Sequence, residues 1–264
     1  MNNGKPAIFI DIDGCLISDS GNVSKEYYQA LYQLSQLIKK GDTGNGPSVR
    51  LCSGRNINCV DMICAVLGIV NSFMIIENGT ALLNPRTRQL ILHPNINGKT
   101  KKIFRRITSK RIPIIKRKYP GFFLYLGNII YFTFERKTET PIDIETMYQG
   151  VRREFSDLIR NRSVKVFYSR NSVNIGPAKI DKGNGIRFLA EKDNLDLSQS
   201  LAIGDSKQDI PAFRQVKFIG CPSNASERCK EYVKGRKGRI SPYSYAKGVV
   251  DIIKYFNGDN INLN

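Results

Sequence analysis

Four short apolar runs punctuate the chain, and each stops at a polar residue. "AIFI" runs into Asp11, "SVRLC" into Ser53, "FMII" into Glu77 and "SLAI" into Gly204-Asp205. Runs this short and mainly apolar predict buried strands, and the first, apolar throughout and β-branched, predicts a strand buried on both faces. The expected strands cover residues 5–11, 48–54, 72–79 and 199–206, with a further one in "KFIGCP". Between them the period changes from continuous to helical. In 24–40, Tyr28, Leu31, Leu34 and Ile38 recur at helical spacing behind Ser24, a fair N-cap, and Gly41 follows. "NCVDMICAVLGI" reads as a helix stopped by Gly68, and 41–47 as a loop. Strand–helix alternation predicts a parallel α/β sheet. "TALLNPRTRQLILH" reads as a hairpin around Asn84-Pro85.

The pattern then switches class. Residues 99–119 are a basic helical stretch. "GFFLYLGN" and "IIYFTFE" form an expected hairpin around Gly127-Asn128. "DIETMYQGVRREFSDLIR" is an expected helix capped by Asp143, and "VKVFYSR" with "SVNIGP" a second hairpin around Arg170-Asn171. This αββαββ run predicts an antiparallel sheet with helices on one face. After Pro177 the first pattern resumes with "KGNGIRFLAEKDNL", "DIPAFRQV", "SERCKEYV" and "YAKGVVDIIKYF" as helices, and GDNINLN as a frayed tail. The organisation expected is an α/β core from residues 1–81 and 177–264, with an α/β domain, 82–176, inserted into it.

Composition narrows the chemistry. The 264 residues hold one histidine, His93, read as a loop residue. Triads that need histidine and multi-histidine metal sites are nearly excluded. Six cysteines without a CxxC pair read as reduced thiols of a cytoplasmic protein. No apolar run is long enough for a membrane span, and the N-terminus does not read as a signal peptide.

In open α/β sheets ligands bind at the carboxyl ends of the strands. Those ends carry Asp11 and Asp13, then Ser53-Gly54-Arg55, Asn78, and Asp205 with Asp209 one turn beyond; Lys182 opens the helix after the insert. Carboxylates gathered so densely repel one another unless a cation joins them. Hard oxygen ligands without histidine or thiolate suit Mg²⁺. Ser53, Lys182 and the N–H groups after Asp11 can then hold phosphate oxygens. One carboxylate can attack phosphorus while a second serves as acid and base.

"DIDGCL", "LCSGRN", Lys182 in "AKIDKGNG" and "GDSKQDIP" resemble the four motifs of the haloacid dehalogenase-like (HAD) phosphohydrolases. The αββαββ insert resembles the C2B cap of their subclass IIB, the Cof-type enzymes that include sugar-phosphate, phosphoglycolate and mannosyl-phosphoglycerate phosphatases. The resemblance spans almost the whole chain. It implies a Rossmann-like core with a specificity cap, and a Mg²⁺-dependent phosphatase that forms an aspartyl-phosphate. It implies Asp11 as nucleophile and Asp13 as acid/base. Asp11, Asp13 (through its carbonyl), Asp205 and Asp209 would be the metal set. Gly14, Ser53, Gly54, Arg55, Asn78 and Lys182 would surround the phosphoryl group. Cys15 departs from the family, which has threonine there, and suggests sensitivity to oxidants. The rival readings are a phosphomutase of the same fold and a nucleic-acid-associated phosphatase or binding protein that uses the basic insert.

The net charge is +18, and its distribution is uneven. Residues 82–175 hold 20 Lys and Arg against 6 Asp and Glu, and residues 99–118 hold ten basic residues and no acid. Three readings follow: a solvated basic face, steering of a multiply anionic phosphorylated metabolite, or a nucleic-acid surface.

Overall fold

A computed structural model of the chain describes residues 4–18, 24–44, 46–169 and 171–258. Arg170, in one expected hairpin turn, and residues 259–264 of the expected tail lie outside them. The elements in chain order are β1 (Ala7–Ile10), α1 (Lys25–Asp42), β2 (Ser48–Leu51), α2 (Ile57–Leu67), β3 (Met74–Ile76), β4 (Ala81–Leu83) and β5 (Leu90–Leu92). Then come α3 (Gly98–Arg106), a π-helical turn (Ile107–Arg111), α4 (Ile112–Lys118), β6 (Phe122–Leu124), β7 (Phe132–Arg136), α5 (Ile144–Glu154), α6 (Ser156–Arg160), β8 (Val164–Ser169) and β9 (Ser172–Pro177). The chain finishes with α7 (Lys182–Asp193), β10 (Leu201–Ile203), α8 (Ile210–Phe213), β11 (Phe218–Cys221), α9 (Glu227–Gly235), β12 (Arg239–Ile240) and α10 (Tyr245–Gly258).

Two compact units result, one from residues 1–93 with 181–264, the other from 94–180. The dividing positions differ from the expected 81/82 and 176/177. The reason is pairing: β4 zips antiparallel onto β3, and β5 onto β4, so the hairpin stays with the first unit. Its turn is closed by Asn84 Oδ1, which accepts from Arg86 N and Thr87 N at 3.0 Å each.

In the first unit, five parallel strands run in the order β12-β11-β10-β1-β2. Alternation along β1 divides the core in two. Ile8 and Ile10 pack with Leu34 and Ile38 of α1, Val60 of α2, and Val249 and Ile253 of α10. Ala7 and Phe9 face the other way, among Ile186 and Leu189 of α7, Phe213 of α8 and Val233 of α9. Each such fully buried side chain stabilises by about 1.5–3 kcal/mol relative to exposure. Ser24 caps α1, accepting from Tyr27 N at 3.3 Å. The apolar face of α1 is rotated from the expected one. Tyr28 is exposed, while Ala30, Leu34 and Ile38 are buried and Tyr27 donates its hydroxyl to Leu16 O. Gly41 lies inside the helix, which ends at Asp42.

β3 is not a full member of the parallel sheet. β2 ends at Leu51, where the chain turns toward Ser53-Gly54, so β3 meets it at one bridge, Cys52 to Ile75. Antiparallel β4 offers partners to all three residues of β3 instead. His93 is a loop residue as expected, one position past β5, and it is held in place. Its N–H donates to Thr80 O at 2.8 Å, and its ring packs edge-on to Phe188 with centroids 5.2 Å apart. Burial holds its pKa below the ordinary value.

In the second unit, four antiparallel strands run β6-β7-β9-β8. Asp143 caps α5, accepting from Thr146 N at 2.6 Å, and the expected single helix breaks at Phe155 into α5 and α6. The basic stretch has a particular geometry. The buried residues within its helical turns are Phe104, Ile107, Ile112 and Ile115, spaced three, five and three apart. At about 100° per residue a five-residue step would swing Ile112 off the face. The π turn, with Ile112 N donating to Ile107 O, absorbs the extra residue and realigns the apolar stripe. The polar side is cationic: Lys99, Lys101, Lys102, Arg105, Arg106, Lys110, Lys116, Arg117 and Lys118 are exposed. Like charges stand three or four apart at Lys99/Lys102, Lys101/Arg105, Lys102/Arg105 and Lys102/Arg106. Each such pair destabilises a helix by about 0.2–0.5 kcal/mol. Among the described residues only Arg111 of this stretch joins an ion pair, a fork onto Asp157 at 2.7–2.8 Å.

Candidate active site

The carboxyl ends of β1 and β10 bring the acidic residues together. Asp11 follows β1 directly, with its N–H donating to Ile203 O at 3.0 Å, so the two loops leave the sheet side by side. One carboxylate oxygen each of Asp11, Asp205 and Asp209 lies within 4.8 Å of the others. Lys182, the first residue of α7, sends its ammonium between two of them, 2.7 Å from Asp11 Oδ2 and 2.6 Å from Asp209 Oδ1. All three of these partners are buried. The other oxygen of Asp209 accepts from Asp205 N at 3.1 Å, Ser206 N at 2.9 Å and Ser206 Oγ at 3.0 Å.

Electrostatics follow from this packing. Burial pushes the Asp11 carboxyl well above the usual range. Lys182 pulls it down, and Asp209, Asp205 and Asp13 push it up again. Burial alone would lower the Lys182 ammonium, but Asp11 and Asp209 outweigh it, and Lys182 stays well above its ordinary value. One buried cation therefore bridges two of the three clustered carboxylates, Asp11 and Asp209. The set is all hard oxygen with spare lone pairs, which fits a small divalent cation.

Local backbone explains why these residues meet. Gly14 has φ +74, and a Cβ there would collide with Asp205 Oδ2. Only glycine lets the loop after Asp11 close onto the loop after β10. Gly79 has φ +97, and a Cβ there would strike Asp181 O. That bare position admits the start of α7, where Asp181 and Asn184 form a capping box and Lys182 takes its place.

The remaining expected residues sit as follows. Ser53 is fully buried and its Oγ accepts from Arg55 N at 3.1 Å. Asn78, in a turn with φ +54, donates its N–H to Ser53 O at 2.9 Å. A Cβ on Gly54 would lie 3.2 Å from the Asn78 amide, so those two residues touch. Asp13 is outside the three-carboxylate cluster. Its carboxylate is forked by Arg55, with Nη2–Oδ1 at 2.6 Å and Nε–Oδ2 at 2.9 Å, and both side chains are over a third exposed. Cys15 is fully buried, and burial, then Asp205, Asp11 and Asp209, push its thiol well up. The expected oxidant sensitivity is thus corrected: a buried, protonated thiol is inert.

Sequence reasoning missed the loop after β11. Asn224 Nδ2 donates to Gly14 O at 2.8 Å, and Asn224 Oδ1 accepts from Tyr245 N at 2.9 Å. Two residues on, Ser226 N donates to Asp205 O at 2.8 Å. This loop braces both acidic turns from behind. The only sequence signal was a polar "PSNAS" at another strand end.

The family model for haloacid dehalogenase-like hydrolases matches residues 8–139 and 122–253. A phosphoglycolate phosphatase of Thermoplasma volcanium is 34% identical over 96 residues, 36% of this chain and 41% of that protein. The chain thus matches less than half the length of that relative. A phosphoglycolate phosphatase of Thermoplasma acidophilum is 27% identical over 94% of this chain and 96% of its own length. Among solved structures, a HAD/COF-like hydrolase of Plasmodium vivax superposes with TM-score 0.70 at 17% identity, covering 96% of each chain. The sucrose-phosphatase of Synechocystis, solved with sucrose and phosphate, superposes at 0.67 and 17% identity over 96% of this chain and 98% of its own. At such identities the likeness is one of fold.

Proposed function

The chain belongs to the haloacid dehalogenase-like hydrolases, and from that premise we propose that it is a Mg²⁺-dependent phosphatase of a small phosphorylated acid, with phosphoglycolate the first substrate to try. The observation that carries this reading is the buried group of Asp11, Asp205 and Asp209 closed by Lys182. A carboxylate able to attack, a set of oxygen ligands for a divalent cation and a buried ammonium at one strand end are the parts that phosphoryl transfer uses.

The roles follow from chemistry. Asp11 carries the nucleophilic oxygen, which bonds to phosphorus as the ester oxygen leaves. Lys182 favours the ionised form of Asp11 against its burial and offers positive charge to the phosphoryl oxygens. Ser53 and the N–H groups after Asp11 orient those oxygens. Asp13, once out of the Arg55 fork and loaded with a proton from solvent, gives that proton to the leaving alcohol and then takes one from the water that hydrolyses the aspartyl-phosphate. Asp11, Asp205, Asp209 and the Asp13 carbonyl would hold Mg²⁺, which when bound neutralises charge on the transferred group. Arg55, freed from Asp13, suits the second anionic group of a phosphorylated acid.

The inserted unit, 94–180, is read as the specificity cap. All six cysteines are free, which supports a reducing, cytoplasmic setting. No helix among the described residues is long and apolar enough to cross a membrane.

The test is phosphate release from phosphoglycolate, sugar phosphates and p-nitrophenyl phosphate, with Mg²⁺, with EDTA and with Asp11→Asn. Turnover that requires Mg²⁺ and disappears in the variant is expected. Folded wild-type protein that released no phosphate from any of them would refute the reading.

A further inference from the structure

Among the described residues, no acidic group pairs with the outer face of the α3–α4 rod. It presents nine exposed cations over 21 residues, a rod of about 30 Å. From Pro94 to Phe134 the sequence has no Asp or Glu. The rod therefore keeps like charges three and four apart, at a loss of helix stability, and sets Lys99, Lys101 and Lys102 at its N-terminal, positive end. A face kept only for solubility does better with both signs mixed. A local rule broken without an internal gain points to an external ligand.

We propose that this face is a docking surface for double-stranded nucleic acid, gripped through its phosphates without reading sequence. The register supports that occupant. Because the π turn aligns Phe104, Ile107, Ile112 and Ile115 on one side, Lys102, Arg105, Arg106, Lys110 and Arg117 fall on the opposite side along the whole rod. Its length is close to one turn of a duplex, about 34–36 Å. The exposed residues between the cations are Thr108, Ser109, Pro113 and Ile114, with no aromatic to stack a single-stranded base. An amphipathic membrane helix needs its apolar side free, and here that side is buried. A protein partner would want a large apolar anchor on the face, and Ile114 alone stands there. The surface is independent of the phosphatase reading and holds or fails without it.

The experiment is fluorescence anisotropy of the full chain with a labelled 24-base-pair DNA duplex of arbitrary sequence between 50 and 200 mM salt. Five phosphate contacts predict an affinity loss of about 10²–10³-fold across that range. The variant Lys102→Glu/Arg106→Glu/Lys110→Glu should bind at least tenfold more weakly at 50 mM salt, with the salt slope reduced by about 2.7. Its melting temperature should not fall, because the substitutions relieve repulsion on the rod. A control, Lys39→Glu/Lys40→Glu on α1, should bind as wild type. The proposal is overturned if wild type shows no salt-dependent duplex binding. It is equally overturned if the triple variant binds like the control, or if the protein binds phosphatidylserine vesicles and not the duplex.

Discussion

Lys182→Met isolates the most unusual interaction in the site. The substitution keeps the volume and removes the one buried cation between Asp11 and Asp209. Breaking a buried ion pair by removing one partner costs about 3–5 kcal/mol, because the other charge stays buried without compensation. Here two carboxylates lose their partner, with Asp205 close by. For a chain of this size each kcal/mol moves the melting temperature by about 2–4 °C, so a fall of roughly 6–20 °C is expected at pH 7 in EDTA.

The pH dependence has a definite sign. Asp11 is raised in the folded state above its unfolded value of 3.8. Its ionisation therefore opposes folding, and stability is lost as pH rises through the folded value. Lys182 lowers the Asp11 pKa, so removing it lifts that value further. Across pH 4–8 the deficit of the variant should then widen as pH rises and Asp11 gives up its proton. Circular-dichroism melts of both proteins across that range measure it. Added Mg²⁺ should recover part of the loss at neutral pH. A variant that melts with wild type at pH 7, or whose deficit does not change with pH, would sink the account of Lys182 as the counter-charge of Asp11 and Asp209.

Much of this was legible because the polar residues sit where strands must end. A buried parallel strand has no use for "DIDG" or "GDS" inside it, so the chemistry marks the sheet edge and the edge marks the site. Lys182 was legible as a cation placed at the wrong end of a helix. What escaped depends on three-dimensional partners. β3 has the composition of a buried parallel strand, and only its competition between β2 and β4 decides its pairing. The π turn is invisible until the five-residue gap between Ile107 and Ile112 is known to be buried at both ends. Tyr27 and Tyr28 are alike in sequence, and the Leu16 carbonyl chooses between them. β12, two residues long, has no period to read.

Two further outcomes follow. Iodoacetamide on the native protein should leave Cys15, Cys52 and Cys64 unmodified by mass spectrometry, since all three are buried and burial raises each thiol, with Cys64 at about 12; Cys59, half-exposed, should react first. Rapid labelling of Cys15 would show that the loop after Asp11 opens. The last concerns Asn224, which touches no reacting atom yet fixes the Gly14 carbonyl three residues from Asp11. Asn224→Asp keeps an oxygen for Tyr245 N and loses the amide donor to Gly14 O, placing a carboxylate against a carbonyl instead. If the amide acts as a brace, kcat should fall tenfold or more while KM changes little, because a misplaced nucleophile penalises the transition state more than binding. Asn224→Ala should show the same fall. If the amide serves only to anchor α10, Asn224→Asp retains wild-type kcat and Asn224→Ala alone is impaired. The aspartate variant therefore separates a part that positions the nucleophile from one that merely holds the fold.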